Sequence, residues 1–462
     1  MITMTSSSPP VKLLLFLLMA PLLVGEERVL TLSQTLERVL QVHPLVTASD
    51  LSVKRGEETL ERAKGRRYLA ESDVKLALGL VPSAKGDVFS SHDKSDDLDG
   101  LGPFTKMDLT IVQPLYTFGR IKSLITAANE ALRMEEAKGR LTREELALET
   151  ARLYWGLSLF QKGEESAKDL RKNYDKLVQE VETRLQKEDS EIDDTALLEI
   201  KSGLYAVEKG YWEAKEGREA ASGFLATLLD LPGENPLRAQ GETLPLPSEG
   251  ELSLERVLAI AKGRSDELKA ADAGVRALEA KWRLTRSNRM PLFYLAGALG
   301  YAHAGNRTDQ TNPFVVDNFN YFRLGAFLGV SWNFNIFQGN HEATEAKLEY
   351  RSALEKRKAL EQKVEGEARE RFHELRKEAA LLESVRTSLK SAKTWLQVSF
   401  DNWDMGIGEV NRLVKAYENY YKLQGESLER EYKYNLALTR FSSSVGGVSL
   451  LMEWMKNGKI VL

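Results

Sequence analysis

The stretch Pro114-Leu115-Tyr116-Thr117-Phe118-Gly119-Arg120 closes an alternating segment and opens a helical one. A second junction of this kind, Asn335-Ile336-Phe337-Gln338-Gly339-Asn340-His341, follows about 220 residues later. Upstream, Leu36-Glu37-Arg38-Val39-Leu40 returns as Leu254-Glu255-Arg256-Val257-Leu258 at nearly the same offset. Each half runs in one order: a helix-like stretch, an alternating strand, a polar loop, a second alternating strand, then a long proline-free run. The chain is therefore an internal duplication, with a first repeat over 26–247 and a second over 248–462, the seam marked by Pro245 and Pro247.

On the N-terminal side of each junction the alternation is period two, as a strand with two unlike faces requires. Val74, Leu76, Leu78 and Leu80 alternate with Asp73, Lys75, Ala77 and Gly79, and Met107, Leu109 and Ile111 with Asp108, Thr110 and Val112. In the second half Phe293, Leu295, Leu299 and Tyr301 form one face, and Phe322, Leu324, Leu328, Val330 and Trp332 another. The strands are placed at about 68–81, 104–116, 290–304 and 321–336. One greasy and one small or polar face over ~10 residues fits transmembrane β-strands, although a half-buried soluble sheet alternates in the same way. Tyr301, Phe322, Trp332 and Phe334 sit near strand ends, where an interfacial aromatic belt is expected. The polar loops 83–103 and 305–320 are too long for tight hairpins and fit the exposed side of a barrel. The tract His92 to Gly100 is acidic, but it lacks the ligand order of a calcium-binding EF-hand loop and reads as a solvated loop.

On the C-terminal side no proline occurs between Pro114 and Pro232, nor after Pro313. A helix-interior proline costs about 3 kcal/mol, so these gaps permit very long helices, expected over about 117–230 and 337–445. Ile121, Leu124, Ile125, Ala128 and Leu132 keep helical spacing, as do Val385, Leu389, Ala392 and Leu396, then Val410, Leu413, Tyr417 and Tyr420. The 3–4 rhythm is that of a coiled-coil seam.

Composition removes several function classes. With 64 basic against 68 acidic residues and no basic cluster interleaved with aromatics, a nucleic-acid partner is not indicated. The absence of cysteine excludes a disulfide framework, a thiolate metal site, a cysteine nucleophile and a lipid anchor on an N-terminal cysteine. The histidines His43, His92, His303, His341 and His373 form no metal-ligand pair, and no phosphate-binding loop occurs. No catalytic, cofactor-binding or metal site is expected. Lys12 followed by the apolar run Leu13 to Val24 reads as a signal peptide over 1–25, too short to span a bilayer.

In this order of elements the chain resembles the TolC-like outer membrane efflux protein family over essentially the whole mature sequence. Leu30-Thr31-Leu32 with His43-Pro44, and Leu252-Ser253-Leu254 with Ser265-Asp266, are similar to the helix starts of the family's two repeats. Pro114 to Arg120 is similar to its strand exit, with Phe118 in place of the first glycine. The second copy is looser, Asn335 replacing the proline and Asn340 the second glycine. Phe224 to Pro232 looks like the end of its first-repeat helices. The resemblance implies a homotrimer whose twelve strands, four per chain, close one barrel, continued by an α-helical coiled-coil tunnel in the periplasm. It implies an outer membrane exit duct of a tripartite efflux pump for small molecules, or of type I protein secretion. Its partners would be outer membrane lipid, a periplasmic membrane-fusion adaptor and an inner membrane transporter of the RND or ABC type. A periplasmic coiled-coil adaptor with a small β-domain is the reading from another class. The tips of the long helical hairpins would dock the adaptor: Asp189, Ser190 and Glu191 in the first repeat, Gly406, Ile407, Gly408 and Glu409 in the second. The family's aspartate after each tip is matched by Asp194, beside Asp193. Arg412 and Lys415 depart from it in the second repeat, which suggests either a pore end held shut by ion pairs of Asp194 with Arg412 or two residues that both face solvent on the outside of the tip.

Overall fold

The computed structural model describes residues 28–68, 71–86, 89–90, 100–186, 194–232, 236–242, 244–247 and 253–461. The expected signal segment, most of the acidic loop tract and the first-repeat tip through Asp193 lie outside them. In chain order the elements are β1 (Arg28–Leu30), α1 (Leu32–Val42), α2 (Pro44–Tyr68), β2 (Glu71–Val81), β3 (Gly102–Tyr116), α3 (Arg120–Gln186), α4 (Asp194–Leu228), β4 (Leu237–Ala239), α5 (Leu254–Arg264), α6 (Asp266–Ser287), β5 (Leu292–Ala304), β6 (Tyr321–Ser331), α7 (Ile336–Asp404), α8 (Val410–Val445) and α9 (Val448–Asn457). The fold is mostly helical with a smaller antiparallel sheet. At 69 residues α7 is about 100 Å long.

Local chemistry accounts for the boundaries. Pro44 opens α2, where its missing N–H costs nothing. The Ser265 hydroxyl accepts from the Leu268 N–H at 3.2 Å, and Asp266 and Glu267 follow in the first turn of α6. Asn335 caps α7. Contacts divide the chain into two compact units, 28–35 with 153–242, and 36–152 with 243–461.

In the first unit the C-terminal part of α3 and α4 form an antiparallel hairpin. Its rungs are Arg218 to Glu164 at 2.6 Å, Arg171 to Glu208 at 2.8 Å and Lys201 to Glu182 at 2.8 Å. A two-stranded parallel sheet, β1 with β4, packs here, a pairing of segments some 200 residues apart that no local pattern announces. The buried Tyr154 hydroxyl lies 3.2 and 3.0 Å from the carbonyls of Leu30 and Gln240 and 3.0 Å from the Glu242 carboxyl. Burial pushes the Glu242 carboxyl and the Tyr154 phenol up.

The second unit holds the antiparallel sheet β2-β3-β5-β6. Its central pair, β3 with β5, joins the last strand of the first repeat to the first of the second, with a register break between Pro114 and Tyr116. The helices continue that order. Leu60 and Ala63 of α2 pack on Ala128 of α3, Arg276 of α6 reaches Glu130 of α3 at 2.7 Å, and Arg357 of α7 reaches Asp272 of α6 at 2.8 Å. Each strand thus runs into a helix with the same neighbours, α2-α3-α6-α7 below β2-β3-β5-β6. Helix α8 returns along α7, with Phe441 beside Phe372 at 6.5 Å and Arg430 bonded to Glu378 at 3.4 Å. Beyond the expected helical run, α9 docks Trp454 on Phe441, ring centroids 6.0 Å apart.

Candidate membrane-facing sheet and helical tip

Residues paired in register share a face, so the sheet registers sort its side chains into two surfaces. One carries the row Val74, Leu109, Leu299, Leu324 and the row Leu76, Met107, Tyr301, Phe322, with Leu295 beside Leu328 and Phe293 beside Val330 toward the helices. The opposite face carries Lys75, Asp108, Gly300 and Arg323 in one row, with Lys106 bonded to Asp108 at 3.2 Å and Arg323 over the Tyr321 ring. The apolar face is uncovered: Leu78 is 75% exposed, Leu324 74% and Leu328 75%. Monomeric soluble proteins rarely leave so broad an apolar surface bare. No helix among the described residues is long and apolar enough to cross a membrane.

The four expected belt residues mark both ends of this face. Tyr301 pairs with Phe322 at the loop end, and Trp332 and Phe334 lie in contact, 4.2 Å between centroids, at the helix end. All four are exposed. From Phe322 to Trp332 is ten residues, about 33 Å at 3.3 Å each, and close to the ~25 Å band of such barrels once tilted. Three further exposed rings, Tyr116, Phe118 and Phe293, gather at the helix end, and the sequence reading did not place them among the aromatics there. Phe118 packs on Tyr116 at 4.6 Å and on Phe293 at 6.4 Å. Their signal was the aromatic density of the two strand-to-helix junctions. Phe118 has a φ of 51° and Gly119 of 85°. Where the resembled family has glycine, phenylalanine is thus held in the left-handed region, at a cost of about 1 kcal/mol or more.

The second-repeat tip is a compact turn between α7 and α8. Gly406, φ 74°, stands just past the helix end, where the Ile407 N–H donates to the Asn402 carbonyl and the Gly406 N–H to that of Trp403, both at 3.0 Å. These are the two bonds of a Schellman cap. Gly408 is required for another reason: a Cβ there would lie 2.9 Å from the Trp403 backbone nitrogen. Glu409 precedes α8 as its N-cap, without a side-chain cap bond. Trp403, Val410, Leu413 and Val414 are buried under the turn, which leaves Met405 and Ile407 projecting, 64% and 75% exposed.

Arg412 and Lys415 lie on the exposed side of the first turns of α8, with no ion pair among the described residues. Asp194 is the first residue of α4. Asp189, Ser190, Glu191 and Asp193 fall outside the described residues.

No protein-family model matches this sequence, and no curated protein sequence does. The fold has clear relatives among solved structures. CusC, solved in a study of its folding and transmembrane channel formation, matches at a TM-score of 0.73 and 16% identity, over 90% of this chain and 92% of that one. The CmeC outer membrane channel of Campylobacter jejuni matches at 0.71 and 15%, over 92% and 89%. The outer membrane protein VceC of Vibrio cholerae matches at 0.70 and 15%, over 90% and 96%. The chain has the fold of these outer membrane channel proteins. At this identity the likeness concerns the fold.

Proposed function

We propose that the chain is one of three identical subunits of an outer membrane channel-tunnel, the passive exit duct of a tripartite efflux pump exporting small molecules. The observation that carries this reading is the uncovered apolar face on a sheet that stays open. In lipid, each unpaired backbone group at an edge costs several kcal/mol. The edges β2 and β6 are both 11 residues long and run antiparallel to each other across the sheet. The β6 edge of one copy therefore matches the β2 edge of the next in length and direction. Three copies give twelve strands, an even number of the kind such barrels have.

In this reading the helices that continue the strands extend the wall into the periplasm. The protruding Met405 and Ile407 at the second tip suit docking of a membrane-fusion adaptor, which would link the duct to an inner membrane transporter of the RND or ABC type. The row Lys75, Asp108, Arg323 would line the lumen. Asp193 and Asp194 with Arg412 and Lys415 are the proposed closing charges, since rings of charge in a narrow pore set its potential.

Separation of inner and outer membranes, followed by mass determination in detergent, tests the assembly. A three-chain species in the outer membrane supports it, and a soluble periplasmic monomer overturns it. Reversing Asp194 and Arg412 singly should raise single-channel conductance, and reversing both should restore closure. Unchanged conductance in both single variants overturns the gate.

A further inference from the structure

Next to the sheet lies a surface that neither the wall nor the tip uses. Between α3 and α6, just beyond the strand ends, is a groove of about 580 Å3. Phe118 stands in its lining, and its charged lining is Lys122, Arg276, Arg283 and Arg286 against Glu130 and Glu279. Both acids are already engaged, Glu130 with Arg276 at 2.7 Å and Glu279 with Arg283 at 2.5 Å. Lys122 and Arg286 are exposed, and their side chains have no hydrogen bond or ion pair among the described residues. The groove thus carries a net charge of +2, from four cations and two acids, and two of its cations are uncompensated.

Its position gives that charge a meaning. Phe118 joins the groove to the apolar face, because its ring packs on Tyr116 and Phe293, a register pair of that face. At the same level the Trp332 indole N–H donates to the Arg289 carbonyl at 3.1 Å. Moving from strands to helices, the surface passes from bare aliphatic side chains through an aromatic collar to unpaired cations. That is the order of hydrocarbon, interface and headgroup in a bilayer. The groove continues the central pair β3–β5, so copies joined at the β2 and β6 edges would leave it open. The positive φ of Phe118 is a further mark, since backbone strain is kept where the surroundings require a particular side-chain position.

We propose that this groove is a binding site for the phosphate of an anionic phospholipid of the leaflet nearest the helices. Lys122 and Arg286 meet the phosphate oxygens, and Phe118 packs against the glycerol and first acyl carbons. A guanidinium and an ammonium are the two side chains suited to that group, the first by a forked pair of bonds, the second as a point charge. A zwitterionic headgroup brings its own ammonium into a site of net positive charge and is disfavoured. The proposal rests on the membrane reading above.

The test uses the full chain, reconstituted into vesicles of phosphatidylcholine alone or with one part in five phosphatidylglycerol, then stripped in mild detergent. Lipid retained per chain is measured by native mass spectrometry. The wild type should retain phosphatidylglycerol over phosphatidylcholine by on the order of tenfold, from the attraction of two interfacial cations. Lys122→Gln with Arg286→Gln should bring the preference within about twofold, whereas Lys390→Gln with Lys393→Gln, far along α7, should leave it intact. Equal retention of both lipids by the wild type, or an unchanged preference in the Lys122 and Arg286 variant, overturns the site. Displacement of the lipid by 10 mM inorganic phosphate overturns the lipid as occupant and leaves a free-anion site. A chain that floats with neither vesicle fails the membrane reading itself, whereas insertion into both without preference fails only the groove.

Discussion

Leu328 in β6 and Leu438 in α8 are the same side chain in opposite surroundings, 75% exposed in the sheet and 0% exposed in the helical region. The helical region around Phe372, Phe441 and Trp454 covers its own apolar atoms, with Phe441 tilted against Phe372 and stacked on Trp454, and the Trp454 indole N–H bonded to the Val461 carbonyl at 2.8 Å. The sheet does the reverse, turning its aliphatic rows outward and keeping Lys75, Asp108 and Arg323 on the other face. The contrast teaches that the chain's own atoms complete the apolar packing of the helical region and leave that of the sheet unfinished. Burial in the helical region is a property of one chain. In the proposed assembly, burial of the sheet comes from lipid on one face and from further chains at two edges.

Substitutions that act on one region and spare the other separate the two kinds of burial. The largest expected effect is Trp454→Ala, which removes a fully buried ring and should destabilise the helical region by about 3–5 kcal/mol in any solvent. Denaturant titration of the detergent-solubilised protein checks it, and an unaltered midpoint would show that α9 contributes little. Next is Leu324→Arg, which puts a charge on the outward face. It should cost about 2–4 kcal/mol of insertion into vesicles with little change in detergent. Gly325→Ser, on the opposite face where a Cβ meets nothing within 4 Å, should be tolerated in both. Equal tolerance of the two in vesicles would remove the difference between the faces.

The smallest effect concerns Glu144 in α3, which accepts from the Val448 N–H at the start of α9 at 2.9 Å. Burial pushes its carboxyl above the usual carboxylate range, partly countered by Ser443 and that N–H. The native state therefore holds this proton at pH values where the unfolded chain has lost it. The group's destabilising effect is absent below the unfolded value of 4.5 and grows as pH rises through the raised native value. Glu144→Gln should match the wild type in melting temperature at acid pH and exceed it increasingly above about 4.5. A constant difference across that window would contradict the assignment.

The strands and helices were legible because each obeys a local period. Val74 to Leu80 and Phe322 to Val330 alternate by two, and the proline gaps leave room for α3, α4, α7 and α8. The tip glycines were legible as an interruption, though the two distinct demands on Gly406 and Gly408, a left-handed backbone and a close approach, appear only in three dimensions. The breaks at His43 and Ser265 that divide each opening helix were visible as residues but not as boundaries. The short strands β1 and β4 and the helix α9 were not foreseen, because three residues carry no period and α9 depends on the Phe441 ring that receives Trp454.

By itself the sequence determined the duplicated layout, the kinds of element and the two unlike faces of every strand, since these follow from periodicity, proline positions and turn chemistry within about a dozen residues. Only the tertiary structure decided that β3 pairs with β5 across the repeats, that the helices keep the order of the strands, and that Phe118, Lys122 and Arg286 share one groove. The strand pairing and the groove join residues more than 150 positions apart, and the helix contacts residues some 65 to 146 apart. They are set by register and by packing of whole elements, which no local pattern encodes.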